Sequence, residues 1–445
     1  MAGGSIKAPR GTADLYGEEL ERLERLERLC TNTAKLWGYS GIRTPIFEHT
    51  SLFKRSIGEV TDIVEKEMFT IPRQTDKAGA DSFTLRPENT AGVVRAYLER
   101  NLHKTQGLTK FSYVGPQFRR ERPQKGRLRQ FNQMGVEVLS CDSHLADLEV
   151  ILLAAEVLSQ AGLANLRLRL NSVGCSNEGC RDAYRAGLRN RFSAEKEKLC
   201  GDCQRRLDRN VFRVLDCKKP NCREVCASTF EKVPAEFCEE CRARQAFLLE
   251  ALPAGLPAGV ELVADPTLVR GLDYYTSTVF ELLASGLGAQ DAVGGGGRYD
   301  GLIEELGGPS LGATGFALGL ERVLIAQQAA GASSPEVPVG PQLCLLSIGD
   351  LGPGPYELAL ALRRDGLRVG YDLGPAGRKI GKLLGRAEKS GAGVAVIVGR
   401  EEMDAGEAKV KILATRDEHR VKQSDLAAEI RRLLGREDRT ASACR

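Results

Sequence analysis

Histidine is scarce: 445 residues hold four, at His49, His103, His144 and His419, beside one tryptophan, four methionines and 6% aromatics. None of the four falls in the segments singled out below, so a mechanism built on an imidazole general base is not expected. Long apolar runs are missing too. No stretch approaches the ~18 residues of a membrane-spanning helix, and MAGGSIKAPRGTADLYGEE lacks the basic and apolar regions of a signal peptide. The expectation is a cytoplasmic protein with no membrane partner. Net charge is small, +4, and residues 343–445, with 19 Lys and Arg against 15 Asp and Glu, account for all of it. At 42% apolar and 27% charged the chain reads as ordinary globular protein, long enough for two or three domains.

Cysteine is the exception to this spareness. Thirteen are present, nine of them between Cys175 and Cys241. Two spacings are CxxC, Cys200–Cys203 and Cys238–Cys241, with Cys217, Cys222 and Cys226 between them. A reducing compartment disfavours disulfides, so structural zinc held by Cys200, Cys203, Cys238 and Cys241, one ion per chain, is the sharper expectation. The plainer one is a set of separately buried thiols.

Residues 17–37 predict a helix with leucine at every third position, ended by Gly38 and Gly41. In GYSGIRTPIFE, Ile42, Thr44 and Ile46 alternate as in a strand, with Pro45 suited to an edge. DSFTLRPENTAGVVRAYLERNL reads as a strand, a proline turn and a helix from Asn89 or Thr90. KFSYVGPQFRRE and RLRQFNQMGVEVLS flank a short basic loop as an antiparallel hairpin. After a helix at 145–161, the charged, cysteine-rich stretch 171–255 interrupts the strand pattern as an inserted module. Strands resume at LVRGLDYYTSTVFELLA, GGGGRYDGL and GATGFALGLERVLIA, the last running into a helix. Residues 329–342 have the composition of a linker, and 343–445 alternate strand and helix as a small α/β domain with a mostly parallel sheet. The expected class is α/β. An α+β domain with an antiparallel sheet, in two parts at 1–170 and 256–328, carries the insertion at 171–255 and is followed by the linker and the 343–445 domain.

Side chains at i, i+4 and i+8 of a strand share a face, which puts Arg129, Gln133 and Glu137 together, and Gln117, Arg119 and Glu121 likewise on the partner strand. Arginines meeting carboxylates on a sheet suit a ligand carrying both phosphates and an amine. A solvated basic hairpin touching nucleic acid is the rival reading. Arg270 with two tyrosines, four glycines before Arg298 and Tyr299, and Arg322 at a strand-to-helix junction add to the first reading, since glycine runs let a ligand approach the backbone.

In this order and spacing the segments resemble the class II aminoacyl-tRNA synthetases, and among them the histidyl-tRNA synthetase family. GYSGIRTPIFE is similar to the first class motif at a dimer interface, FRRERPQKGRLRQFNQMGVEV to the second and GFALGLERV to the third; LVRGLDYYTSTVFE and GGGGRYDGL resemble the two segments peculiar to the histidine enzymes. The resemblance covers nearly the whole chain. It implies a ligase that uses ATP with Mg2+ to activate histidine and then transfers it to tRNA(His), acting as a homodimer. By matching position, Arg119 would hold the α-phosphate, with Arg270 opposite it in a charge-neutralising role. Glu121 and Arg127 would lie near the adenine and ATP, and Arg322 on the γ-phosphate. Glu88, Thr90, Gln133, Glu137, Tyr274, Tyr275 and Tyr299 would form the histidine pocket.

In PAGRKIGKLLGRAEKSG, Arg378, Lys382 and Arg386 recur at i, i+4 and i+8, a basic stripe along one helix. A solvated face explains such a stripe, but the location of the net charge and the resemblance to an anticodon-binding domain point to tRNA. Two rivals stay open at the level of sequence. One is a catalytically silent regulatory subunit of ATP phosphoribosyltransferase that binds histidine; the other is a zinc-dependent RNA-binding protein.

Overall fold

The computed structural model describes residues 6–442 apart from 59–60, 62, 72–81, 125, 177–178, 233–236, 288–290, 332–341 and 373–377. The expected linker at 329–342 lies mostly outside the described residues. Contacts divide the chain into two units, Met1–Glu27 with Ile42–Pro335 and Arg28–Gly41 with Glu336–Arg445.

Seven strands of the first unit form one sheet: β1 (Thr109–Phe118), β2 (Gln130–Leu139), β3 (Leu166–Ser172), β4 (Val260–Ala264), β5 (Thr276–Leu283), β6 (Ala292–Arg298) and β7 (Ala313–Gly319). Their order is β1-β2-β7-β6-β5-β3-β4. Every neighbouring pair is antiparallel except β3 with β4. Hairpin-like sequence made the antiparallel core legible. The parallel edge pair arises because the insertion separates β3 from β4 and returns the chain to the same end of the sheet.

The four glycines Gly294–Gly297 belong to β6 rather than to a loop. A Cβ on any of them would strike a backbone oxygen of β5 or β7, which explains the run as a packing requirement of this strand. Helix α1 (Thr90–Glu99) follows the proline turn, and helix α2 (His144–Gln160) is capped by Ser143, whose Oγ accepts from the Leu145 N–H at 3.2 Å. Nearly all of α2 is buried, as its HLADLEVILLAAEVL composition demands. A buried carboxylate on it, Asp147, pairs with Arg298 of β6 at 3.0 Å and with Arg244 of the insertion at 2.7 Å, joining three elements. The inserted module is helical, with its own core of Tyr184, Leu188, Phe192, Leu207, Phe212 and most of the cysteines.

Three sequence-based expectations are corrected here. Residues 42–46 do not form a strand, because Arg86 takes the Thr44 and Pro45 carbonyls with its guanidinium, at 3.0 and 3.4 Å, in place of a neighbouring strand. β1 ends at Phe118, so Arg119 and Glu121 leave the alternation that would have put them on one face with Gln117, which is buried below. The run from Arg270 to Tyr275 is irregular, and strand structure begins only at Thr276. There Asp273 N–H reaches the Ile57 carbonyl at 3.2 Å, outside any ladder.

Among the described residues the second unit holds a five-stranded sheet, β8 (Leu343–Ser347), β9 (Val369–Tyr371), β10 (Val394–Val398), β11 (Glu407–Ile412) and β12 (Glu418–Lys422), in the order β9-β8-β10-β11-β12. The first three are parallel, joined by helices; β11 adds antiparallel to β10 after the helix Arg400–Ala405, and β12 adds antiparallel to β11 across a short turn with Arg416 in the left-handed region. Trp37 belongs to this unit, with the Arg363 guanidinium 4.2 Å above its ring. No helix among the described residues is long and apolar enough to cross a membrane.

Candidate active site

A cavity of ≈ 440 Å³ opens on the sheet of the first unit. Its lining includes all twelve residues that sequence reasoning assigned to histidine, ATP or catalysis: Glu88, Thr90, Arg119, Glu121, Arg127, Gln133, Glu137, Arg270, Tyr274, Tyr275, Tyr299 and Arg322.

The floor is a carboxylate held by hydroxyls. Thr90 Oγ1 donates to Glu137 at 2.7 Å, the Tyr113 hydroxyl at 3.3 Å, and the Tyr299 hydroxyl to the other oxygen. Burial pushes the Glu137 pKa up to about 8 against the opposing pull of those hydroxyls, with Glu88 adding to the rise. Glycines opposite make room for this group. Gly135 pairs in register with Tyr113 and Gly315 with Glu137, and a Cβ at either would run into the Tyr113 hydroxyl or the Glu137 carboxylate. Glu88 sits at the start of α1, accepting from the Thr90 and Ala91 N–H groups at 2.7 and 3.1 Å. Burial still raises its pKa. Gln133 Oε1 is buried and has no hydrogen-bond partner among the described residues. Tyr274 packs tilted against Tyr275, with ring centroids 4.7 Å apart, and edge-on against Tyr299, at 5.6 Å, giving an aromatic wall.

The opposite side is cationic. Arg119 donates to the Pro87 carbonyl at 2.9 Å, and its guanidinium lies 5.3 Å from the Phe131 ring. Arg127 pairs with Glu121 at 2.9 Å. Arg322, at the junction of β7 and the helix Leu320–Ala330, donates to the Ala292 carbonyl at 2.6 Å and to that of Gly126 at 3.3 Å. Arg270 is fixed by Glu281 at 2.7 Å, and the other oxygen of Glu281 takes Arg169 at 3.1 Å. The arrangement therefore offers a small polar floor able to receive an amine and an imidazole, beside a rim of guanidinium groups suited to a polyphosphate.

Sequence reasoning passed over Tyr113, Phe131, Arg169 and Glu281, which line the same cavity. The one charge in the apolar stretch TVFELL was a signal for Glu281. Asp216, Lys218 and Arg223 of the insertion also line it, and nothing in their local pattern announced this.

The cysteines require a correction. Cys200, Cys203, Cys238 and Cys241 do not form one group: Cys200 and Cys203 gather with Cys217 and Cys222, while Cys238 and Cys241 gather with Cys175 and Cys180. The two CxxC pairs each start a helix of their own, Gly201–Arg209 and Glu239–Gly255, and each meets a Cx4C pair from elsewhere in the chain. Donors to sulfur from Cys203 and Cys241 outweigh burial and draw the Cys200 thiol to about 7 and the Cys238 thiol below its ordinary value.

In the second unit Arg378 precedes the helix Ile380–Lys389, so the basic stripe is not a single helical face. Arg378 and Arg386 both pair with Asp372, at 3.2 Å each, and Lys382 is exposed.

Comparison with known proteins defines the class first. Residues 11–323 match the family model of histidyl-tRNA synthetase and residues 344–433 that of the anticodon binding domain, the two halves of an aminoacyl-tRNA synthetase. The histidine–tRNA ligase of Desulforudis audaxviator is 44% identical over 428 residues, 96% of this chain and 99% of that protein. That of Koribacter versatilis is 46% identical over 440 residues, covering 96% of each chain. The crystal structure of apo S. aureus histidyl-tRNA synthetase superposes with a TM-score of 0.56 at 32% identity, over 96% of this chain and 100% of that one. The chain belongs to the histidyl-tRNA synthetase family.

Proposed function

We propose that the protein joins histidine to the 3′ end of tRNA(His) in two steps at this cavity. A carboxylate oxygen of histidine attacks the α-phosphorus of ATP; the bond to the bridging oxygen breaks, and its electron pair leaves on pyrophosphate. The terminal ribose hydroxyl of the tRNA then attacks the carbonyl carbon of histidyl-adenylate and AMP departs. Neither step needs a protein nucleophile. What they need is alignment and stabilisation of charge.

The observation that carries this reading is one cavity with a hydroxyl-bound carboxylate floor and a guanidinium rim. In it Glu88, Glu137 and Gln133 offer acceptors to the ammonium and imidazole N–H groups of histidine, while Tyr274, Tyr275 and Tyr299 wall the ring. An amino acid lacking those donors leaves buried acceptors unpaired, a discrimination worth up to about 10⁴–10⁵-fold. Arg119 and Arg270 hold the α-phosphate oxygens from two sides, Arg322 the γ-phosphate, and Glu121 and Arg127 lie along the nucleotide. Phe131, beneath Arg119, provides a face for the adenine. Mg2+ fits as an ion carried in on the phosphates. Glu281 and Glu121 are taken by arginines, whereas Asp291, which also lines the cavity, is a carboxylate that would meet the ion, and the ion would lower the charge of the leaving group.

Arg378, Lys382 and Arg386 supply phosphate contacts for the tRNA, with Asp372 setting the geometry of the two arginines. A homodimer is supported by an exposed apolar patch on the small sheet formed by Phe47–His49, Phe83–Leu85 and Phe69–Ile71. There Ile46 and Phe47 are 46% and 52% exposed, beside exposed Ile71 and Phe83. The thiol groups make the insertion a metal-binding module.

The test is charging of tRNA(His) by the purified protein with labelled histidine, ATP and Mg2+. Formation of histidyl-tRNA together with AMP and pyrophosphate is expected; histidine binding without charging would assign a regulatory role instead.

A further inference from the structure

The thiol clusters divide the insertion in a way that a single zinc site does not explain. The outer group, Cys175, Cys180, Cys238 and Cys241, brings together the two ends of the module; the inner group, Cys200, Cys203, Cys217 and Cys222, is nested within it in sequence. Each consists of one CxxC and one Cx4C pair, and in each all four sulfurs lie within 4.8 Å of one another. Tetrahedral zinc with Zn–S of ~2.3 Å sets its sulfurs about 3.8 Å apart. The sulfur pairs Cys175–Cys238, at 3.5 Å, and Cys200–Cys217, at 4.0 Å, bracket that spacing.

The surroundings are those of thiolate ligands. The Cys200 N–H points at the Cys222 sulfur and the Cys238 N–H at the Cys180 sulfur, both at 3.3 Å, so backbone donors offset thiolate charge. Cys200 and Cys238 stand at the N-termini of the helices Gly201–Arg209 and Glu239–Gly255, where the helix dipole favours an anion. Among the described residues no disulfide joins these cysteines, so none already accounts for the grouping.

We propose that the protein carries two structural zinc ions, one at each cysteine group, and that they hold the insertion against the catalytic cavity. The outer ion anchors the module to the sheet. Cys241 reaches Ser277 Oγ at 3.7 Å, and Ser277 lies at the start of β5, two residues after Tyr275. The inner ion fixes the cavity mouth. Cys217 stands between Asp216 and Lys218, and Cys222 is followed by Arg223, and these three neighbours line the cavity. Loss of the inner ion frees the segment that carries Asp216, Lys218 and Arg223, none of which is assigned a role in the reaction.

The proposal goes beyond the ligase reading, and its primary test does not depend on activity. Full-length protein purified under reducing conditions without chelator is analysed for metal, colour and free thiols. Two zinc ions per chain are expected, released in two stages as a mercurial reagent forms mercury–sulfur bonds with the eight ligand thiolates. Cys180→Ser and Cys222→Ser should each retain one zinc, and the double variant none. Cobalt replacing zinc should show the intense sulfur-to-cobalt absorption of a tetrahedral thiolate site in wild-type protein and in each single variant. As a secondary readout, Cys222→Ser should raise KM for ATP several-fold with kcat nearly retained. Zero or one zinc in the wild type overturns the two-site assignment, whether or not the protein charges tRNA. So do visible iron absorption or disulfides in protein kept reduced. Should a variant fail to fold, the wild-type stoichiometry and thiol release still decide the matter.

Discussion

Replacement of Arg270 by alanine separates a catalytic guanidinium from a structural ion pair. Arg270 is fixed by Glu281 at 2.7 Å, and Glu281 also holds Arg169 at 3.1 Å. Alanine therefore does not strand a buried carboxylate: Glu281 keeps Arg169, and the cost in stability should be modest. The loss falls on the transition state, where negative charge shifts onto the α-phosphate oxygens as pyrophosphate leaves. Removal of one preorganised donor to developing charge is worth about 3–4 kcal/mol, so histidine-dependent ATP–pyrophosphate exchange should fall by at least ~10²-fold. KM for histidine and ATP should change little. Lysine should rescue poorly, since one ammonium does not reproduce the guanidinium fork. Transfer from preformed histidyl-adenylate, which no longer expels pyrophosphate, should be far less affected. Near-normal exchange, or equal losses in both half-reactions, would refute this reasoning and leave Arg270 as the partner of Glu281 alone.

Other consequences follow from buried charge and surface chemistry. Asp147→Ala leaves Arg298 and Arg244 buried without their shared carboxylate and should cost about 3–5 kcal/mol in denaturant unfolding. The two arginines, overcoming burial, hold the Asp147 pKa below its ordinary 3.8. Its contribution should therefore be intact above that value and disappear as pH falls through the lower folded-state pKa. Glu137 titrates in the opposite sense. With a folded pKa of about 8 against 4.5 unfolded, the ligand-free protein binds the extra proton, and stability should decline from about pH 4.5 to 8. Glu137→Gln should remove that decline in pH-dependent melting while abolishing histidine selectivity. Neutralising Arg378, Lys382 and Arg386 together should flatten the salt dependence of tRNA binding by roughly 0.7–0.9 in slope per lost contact and spare pyrophosphate exchange; parallel loss of exchange would contradict the assignment. Sedimentation should show a dimer, and aspartate at Ile46 and Phe47 should yield monomer.

Much of the fold was legible because its strands and helices carry their own periodicity. KFSYVGPQF with RQFNQMGVEV forms the hairpin, and GATGFALG runs into LERVLIA as a strand and helix. Legibility fell where backbone partners come from distant side chains. Arg86 captures the carbonyls of Thr44 and Pro45, and the segment carrying Arg270 and the tyrosines is shaped by contacts such as Asp273 with Ile57. The site residues could be proposed from resemblance, yet the relations that hold them were not readable. Tyr113 meets Glu137 only because Gly135 and Gly315 stand opposite, and Glu281 shares two arginines across two strands. The thiols show the same limit most clearly. CxxC spacing identifies sulfurs that lie close along the chain, whereas the choice between Cys200–Cys203 joining Cys238–Cys241 or joining Cys217 and Cys222 depends on how the helices fold back. Two arginines of the basic stripe turn out to share Asp372, a carboxylate outside the helical repeat.

The most direct measurement is ATP–pyrophosphate exchange by the wild-type protein with each of the twenty amino acids in turn. The account predicts Mg2+-dependent exchange with histidine, and rates at least ~10⁴-fold lower with amino acids lacking the imidazole. No exchange with histidine, or comparable exchange with another amino acid, would contradict it.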